Sequence, residues 1–237
     1  MNIWVGTSGF QYAEWKGTFY PEDLPTAKML PFYAERLSTT EINYTFRRIP
    51  SAKNIQGWWD ATPKHFKFSL KAPQKVTHFS KLRNCGDTLR YFFQVISDLE
   101  AKLGVVLFQL PPAFKKDAPL LAAFLDDVPP GMRAAFEFRH ASWFDDEVLG
   151  LLKSKNVALC IGDSEKLATP TVATADYGYL RLRREDYQAA DVARWAEMIG
   201  TQKDGWSDAF VYFKHEESGI GPKLATQLRE LLGETVS

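Results

Sequence analysis

Short runs of aliphatic, β-branched and aromatic residues recur along the chain, separated by amphipathic stretches. Eight of these runs read as strands: Ile3 to Gly6, Thr39 to Asn43, Phe66 to Lys71, Gly104 to Leu110, Arg133 to Arg139, Val157 to Asp163, Tyr179 to Arg183 and Phe210 to Lys214. Between Thr88 and Lys102 the apolar residues Leu89, Phe92, Phe93, Ile96 and Leu99 fall at helical spacing. Asp145 to Lys155 and Asp191 to Ile199 read the same way. Pro222 suits the first residue of a last helix running to Leu232, a position where its missing N–H costs no hydrogen bond. Strand–helix alternation with no linker, repeat or composition shift predicts an α/β fold. The expected architecture is a single (β/α)8 TIM barrel over residues 1–237, with a closed, parallel, eight-stranded sheet. Ser164 to Tyr177 contains Pro170 and little helical pattern, so the sixth helix is expected to be missing or short.

In such a barrel one face of each strand packs beneath the helices and the other points inward. The third run then places Phe66, Phe68 and Leu70 outward, with Lys67, Ser69 and Lys71 inward. The fifth places Phe136 and Phe138 outward, with Glu137 and Arg139 inward; the second places Ile42 outward, with Glu41 and Asn43 inward. The same rule turns Gln109, Asp163, Arg181, Arg183, Tyr212 and Lys214 inward and leaves Cys160 outward as a packed thiol. Nearly all the inward polar groups stand at the C-terminal ends of their strands, where barrel enzymes keep their catalytic residues. Lys67 lies lower and reads as structural.

The rim sorts by sign. Carboxylates (Glu41, Glu137, Asp163) stand on the second, fifth and sixth runs, and cations (Arg181, Arg183, Lys214) on the seventh and eighth. Glu41, Glu137 and Asp163 are candidate acids or bases. Lys71 is a candidate for tuning a carboxylate, polarising a carbonyl or forming a Schiff base. Candidate binding residues are Asn43, Gln109, Arg139, His140, Arg181, Arg183, Tyr212 and Lys214, with Tyr12, Trp15 and Trp143 as walls that would stack on a sugar ring or base. Gly219-Ile220-Gly221-Pro222, leading into the last helix just after Lys214 and His215, suits a phosphate or carboxylate. The plainer alternative is a set of ion pairs closing the barrel top. Burying an unpaired charge costs several kcal/mol, so a purely structural plug would favour apolar side chains.

Composition trims the function classes. With 45% hydrophobic and 24% charged residues among 237, the chain is an ordinary globular one. Lysine plus arginine equals aspartate plus glutamate at 29 each, which opposes a general nucleic-acid binder while leaving room for a local patch. His65, His78, His140 and His215 make no paired metal motif, and Cys85 and Cys160 are too few for a structural zinc site. No dinucleotide fingerprint or phosphate-binding loop is present, so no cofactor is expected, with room left for a bound metal or phosphate. A start without a leader pattern and the lack of any long apolar run lead to the expectation of a cytoplasmic protein that does not enter membranes. The expected function is a small-molecule enzyme that takes an anionic or polyhydroxylated substrate at the barrel mouth. The alternatives are a nucleic-acid-binding or metal-dependent nuclease-like barrel, and a non-catalytic ligand-binding barrel. Oligomeric state is not legible.

The motifs themselves are specific. Val5-Gly6-Thr7-Ser8-Gly9-Phe10-x-Tyr12-x-x-Trp15-x-Gly17-x-Phe19-Tyr20-Pro21 is followed by Glu41-x-Asn43-x-Thr45-Phe46, Thr62-Pro63-x-x-Phe66-x-Phe68, Lys71-Ala72-Pro73 and Thr77-His78. Leu103-Gly104, Phe108-Gln109-Leu110-Pro111-Pro112, Glu137-Phe138-Arg139-His140-x-Ser142-Trp143 and Asp163-Ser164 continue the series. In these residues the chain resembles the YecE-like family, the domain of unknown function 72. The resemblance implies a barrel of the triosephosphate isomerase type and no established reaction. The chain departs from the family pattern at Arg47-Arg48, Arg183-Arg184 and Lys214-His215, which makes the rim of the last two strands more basic.

Overall fold

Eight parallel strands close into a barrel in simple chain order: β1 (Asn2–Ser8), β2 (Thr39–Ile42), β3 (Lys67–Lys71), β4 (Leu103–Gln109), β5 (Ala134–Glu137), β6 (Ala158–Asp163), β7 (Tyr177–Leu182) and β8 (Asp208–Phe213). The seam is the β1–β8 ladder, with Trp4 opposite Phe210 and Gly6 opposite Tyr212. The structure, a computed structural model, describes residues 1–164, 167–216 and 219–233.

Helices cover the outside: α1 (Met29–Ala34), α2 (Tyr44–Arg47), α3 (Ala52–Asp60), α4 (Gly86–Ser97), α5 (Ala118–Asp126), α6 (Asp146–Ser154), α7 (Ala189–Thr201) and α8 (Ile220–Leu231). Side chains set several of the starts. Ser51 and Asn54 form a capping box on α3, while Asp117 and Asp145 accept from the Leu120 and Val148 amides at the heads of α5 and α6. Leu89, Phe92, Phe93 and Ile96 give α4 its buried stripe, as their spacing predicts. The helix stops at Ser97 rather than Lys102, because Glu100 adopts a left-handed φ of 47° and turns the chain into β4. α8 begins two residues ahead of Pro222, behind Gly219 at φ 69°. A Cβ at Gly219 would come within 2.4 Å of Thr18 Oγ1, so glycine is required there. No helix occurs between β6 and β7 among the described residues, in line with the weak pattern around Pro170.

The barrel interior is layered. At the N-terminal end Trp4 stacks on Phe210, and Asp208 accepts from Trp4 Nε1 at 3.0 Å and Arg133 at 2.6 Å. Above them Val105, Leu107, Ala135, Ala158, Cys160, Tyr179 and Tyr212 fill the middle. Six of the strands with a polar inward face follow the alternation read from sequence.

β6 is the exception, and its parity is reversed. Cys160 faces the barrel interior and Asp163 faces outward, where its carboxylate accepts from the Tyr187 hydroxyl and from Trp195 Nε1 of α7. The larger Leu159 and Ile161 pack beneath the helices, while the small Ala158, Cys160 and Gly162 line the inside. Gly162 lies opposite Arg181 in the ladder.

Candidate functional site

Arg181, at the end of β7, is the centre of the mouth. Its Nη2 donates to Glu41 Oε1 at 2.8 Å and its Nη1 to Glu137 Oε2 at 2.5 Å, with all three side chains at most 5% exposed. Glu41 also accepts from Ser8 Oγ at 2.5 Å and from the Tyr179 hydroxyl at 2.6 Å. Glu137 accepts in addition from Gln109 Nε2 at 2.8 Å, from Arg139 Nε at 3.1 Å and from Arg183. Asn43 completes this layer by donating to Ser8 Oγ at 2.8 Å. Strand parity brings all these groups inward, and the short side chain of Ser8 places its hydroxyl among them.

This wiring decides the protonation state of the carboxylates. Burial works against the charge on Glu41, but Arg181 and the hydroxyls of Ser8 and Tyr179 outweigh it and hold the carboxyl below its usual range. Burial likewise opposes ionisation of Glu137, and Arg181, Arg183, Arg139 and Gln109 overcome it, so this carboxyl lies well below the ordinary range. Both are ionised at neutral pH, and their oxygens are occupied by donors. The expected acid–base role for Glu41 and Glu137 therefore gives way to anchoring Arg181 and its neighbours. Glu41 pairs with Arg181, not with Lys71.

The remaining cations have little to balance them. The ammonium of Lys71, inward-facing and half-buried, makes no hydrogen bond or ion pair among the described residues and lies 4.0 Å from the centre of the Phe46 ring. Burial, then the nearby charge of Arg181, brings it down to about 8. Lys214 reaches only 3.7 Å from Glu216, and burial together with Arg181 lowers it too. Arg183 Nε is buried without a partner.

A cavity of about 910 Å³ opens beside these groups, lined by Glu137, Arg139, Arg183, Lys214, His215 and Ile220 among others. His215 Nε2 meets the Arg184 carbonyl at 2.6 Å, so this nitrogen carries the proton; the buried Nδ1 has no partner. Ile220 brings the first turn of α8 to the wall. This agrees with the placement expected for the Gly219-Ile220-Gly221-Pro222 segment. Among the described residues, no three His, Cys, Asp or Glu side chains converge as a metal-binding group. No helix among them is long and apolar enough to cross a membrane.

Several expected site residues stand elsewhere. Asp163 is on the helix side of β6, as described above. Trp15 and Trp143 are fully buried: their Nε1 atoms donate to the Glu216 and Phe114 carbonyls, and Trp143 stacks on Phe138 at 4.7 Å. They pack the loops instead of lining the mouth. Tyr212 is also fully buried below the mouth, with its hydroxyl 2.8 Å from both Thr39 and Ser69. Tyr12 is half-buried and donates to the Ser8 carbonyl at 2.7 Å. His140 caps a short turn by accepting from the Ser142 amide, and it stays partly exposed at the rim. Residues not anticipated are Ser8, Tyr179 and His78. The Tyr179 signal was present, since it shares the parity of Arg181 and Arg183; Ser8 lay two residues beyond the first run.

The family described as protein of unknown function DUF72 matches residues 4–237. UPF0759 protein YunF of Bacillus subtilis is 26% identical over 97% of this chain and 94% of its own length. UPF0759 protein YecE of Escherichia coli K12 is 31% identical over 113 residues, 47% of this chain and 42% of that protein, so this match spans less than half of that relative. Among solved structures, a DUF72 family protein from Thermotoga maritima superposes with a TM-score of 0.85 at 26% identity, covering 99% of this chain and all of that one. One from Enterococcus faecalis gives 0.81 at 18% identity over 98% and 96%, and so speaks for the fold alone. With the closed barrel and the matched motifs, these findings establish that the chain belongs to the YecE-like DUF72 family of TIM barrels.

Proposed function

We propose that the protein is a small-molecule enzyme whose barrel mouth binds an anionic substrate, phosphorylated or carboxylated. The observation that carries this reading is the charge imbalance of the mouth. Arg181, Arg183, Arg139, Lys71 and Lys214 gather around two inward carboxylates, Glu41 and Glu137, which are already saturated, with Glu185, Glu216 and Arg184 on the cavity wall. Lys71 has no counter-charge and Lys214 only a 3.7 Å contact with Glu216, and an anion entering the cavity relieves the cost of holding such half-buried cations under-compensated. Arg183 and Lys214 line the cavity as the anchor, and the amides of the first turn of α8 favour the same sign of ligand.

The test is calorimetric titration of inorganic phosphate and a series of small mono- and dicarboxylates at low ionic strength. Saturable binding is expected, weakening with added salt. Loss of one anchor in Lys214→Met or Arg183→Gln would weaken it about tenfold, the worth of one charged hydrogen bond. Absence of binding to all of these anions, or binding unchanged in both variants, would reject the reading.

A further inference from the structure

Lys71 is set apart from the other mouth cations by what surrounds it. Glu41 and Glu137 share its mouth, yet both are filled by other donors, and its ammonium lies over the face of Phe46. The edge of the same ring meets His78, with centroids 4.9 Å apart and planes at 83°. His78 Nδ1 lies 2.9 Å from Thr77 Oγ1, whose hydroxyl donates to the Pro73 carbonyl at 3.4 Å. Thr77 therefore accepts from Nδ1–H, and His78 Nε2 keeps a free lone pair. Burial, and then the charge of Lys71, lowers the imidazole, so it is neutral at pH 7.

The backbone that carries His78 is itself unusual. Lys75–Phe79 forms a π-helical turn, a rare form that is frequent at functional sites. It is followed by Lys81, Leu82 and Asn84 at φ of 46°, 66° and 48°. Left-handed non-glycine residues cost about 1–3 kcal/mol each and persist where the surroundings enforce them. The turn packs against α4, with Val76 and Thr77 buried and His78 beside Phe46 at the rim.

We propose that Lys71 Nζ is a nucleophile that condenses with the carbonyl carbon of a small anionic aldehyde or ketone to form an imine, with His78 as the proton carrier. The charge of the substrate rests on the function proposed above; the carbonyl rests on Lys71 alone. The nitrogen lone pair forms the C–N bond, and one amine proton passes by way of His78 to the oxygen. The C–O bond then breaks with uptake of one further proton, one water leaves, and a protonated imine remains. No oxidant or reductant is involved. The groups facing Lys71 are Arg181, Glu41, Glu137, Arg139 and His78, and the balance of burial and positive charge favours the neutral amine. At pH 7.5 that gives a neutral fraction roughly two hundred times that of an ordinary lysine.

The test is reductive trapping of the whole protein with cyanoborohydride and glyoxylate, and in parallel with acetaldehyde, read by peptide mass mapping. The expected result is an adduct on Lys71 ahead of every other lysine, half-maximal in rate near pH 8. The buried Lys102, tied to the Trp59 and Thr62 carbonyls, serves as an internal control and stays unlabelled. Lys71→Arg, which keeps the charge, removes the adduct while retaining the wild-type melting profile. His78→Gln slows trapping at Lys71 about tenfold or more, as expected for loss of a proton carrier. Adducts spread over exposed lysines with Lys71 not ahead would overturn the proposal, as would trapping at Lys71 that His78→Gln leaves unchanged. Equal rates with glyoxylate and acetaldehyde at Lys71 would uphold the nucleophile while counting against the anionic substrate.

Discussion

Arg181 and Glu41 meet across the barrel axis at 2.8 Å, with side chains 2% and 0% exposed, although 140 residues separate them. Removing one member of a buried pair leaves the other charged without compensation and costs about 3–5 kcal/mol. Arg181→Met is therefore expected to lower stability by at least that amount, because Glu137 loses a donor as well. Chemical denaturation at pH 7 measures it. A loss below about 1 kcal/mol, the scale of a surface pair, would show that the bridge does not hold the mouth together.

The same pairing fixes the acid response. Glu41 and Glu137 titrate lower in the folded protein than in the unfolded chain, so the unfolded state binds more protons in acid. Their contribution is fully present above the ordinary carboxylate value of 4.5 and is lost as the pH falls below it toward the folded values. In Arg181→Met, Glu41 loses the charge that outweighs its burial, while Glu137 keeps Arg183, Arg139 and Gln109. That variant is expected to lose less stability than the wild type between pH 7 and 3. Denaturant midpoints across that range for the two proteins check it.

Lys71 works in the opposite direction. Its folded value of about 8 lies below the ordinary 10.5, so its buried charge destabilises the protein fully below pH 8, and the penalty fades as the pH rises to 10.5. Lys71→Met is expected to stabilise the fold at pH 7 by about 1–3 kcal/mol, less than the full shift because the side chain is only half-buried. The gain should disappear above pH 10.5. A melting temperature unchanged or lowered at pH 7 would contradict this placement of Lys71.

Asp163 separates the mouth from its supports. Because its partners are Tyr187 and Trp195, Asp163→Asn should cost about 1–3 kcal/mol of stability and leave anion binding at the wild-type level. A tenfold loss of binding at unchanged stability would place the carboxylate in the mouth after all.

These residues also show what was readable beforehand. The eight strands and the inward turn of Glu41, Lys71, Glu137 and Arg181 follow from period-two alternation, which survives wherever large apolar residues mark the outer face. In β6 the charge of Asp163 points to an inward group, whereas Leu159 and Ile161, of the same parity, mark the outer face and Cys160 the inner one. Partner identity was beyond reach. Parity turns Arg181 inward but does not say that it bridges Glu41 and Glu137, because both contacts cross the barrel between distant strands. Trp15 and Trp143 sit in short turns with no regular alternation, so a tryptophan there reads alike whether it lines a cavity or fills a loop. His78 owes its position to a π turn and three left-handed residues, and none of these has a pattern in side-chain polarity.

The claim at the centre of this account is that the excess of cations at the mouth is there to hold an anion. A crystal structure of the protein soaked with inorganic phosphate or glyoxylate at low ionic strength tests it most directly. The account predicts anion density in the cavity within hydrogen-bond distance of Arg183 and Lys214, lost in Lys214→Met. A mouth that holds only water at saturating anion, with Arg183 and Lys214 unmoved, would contradict it.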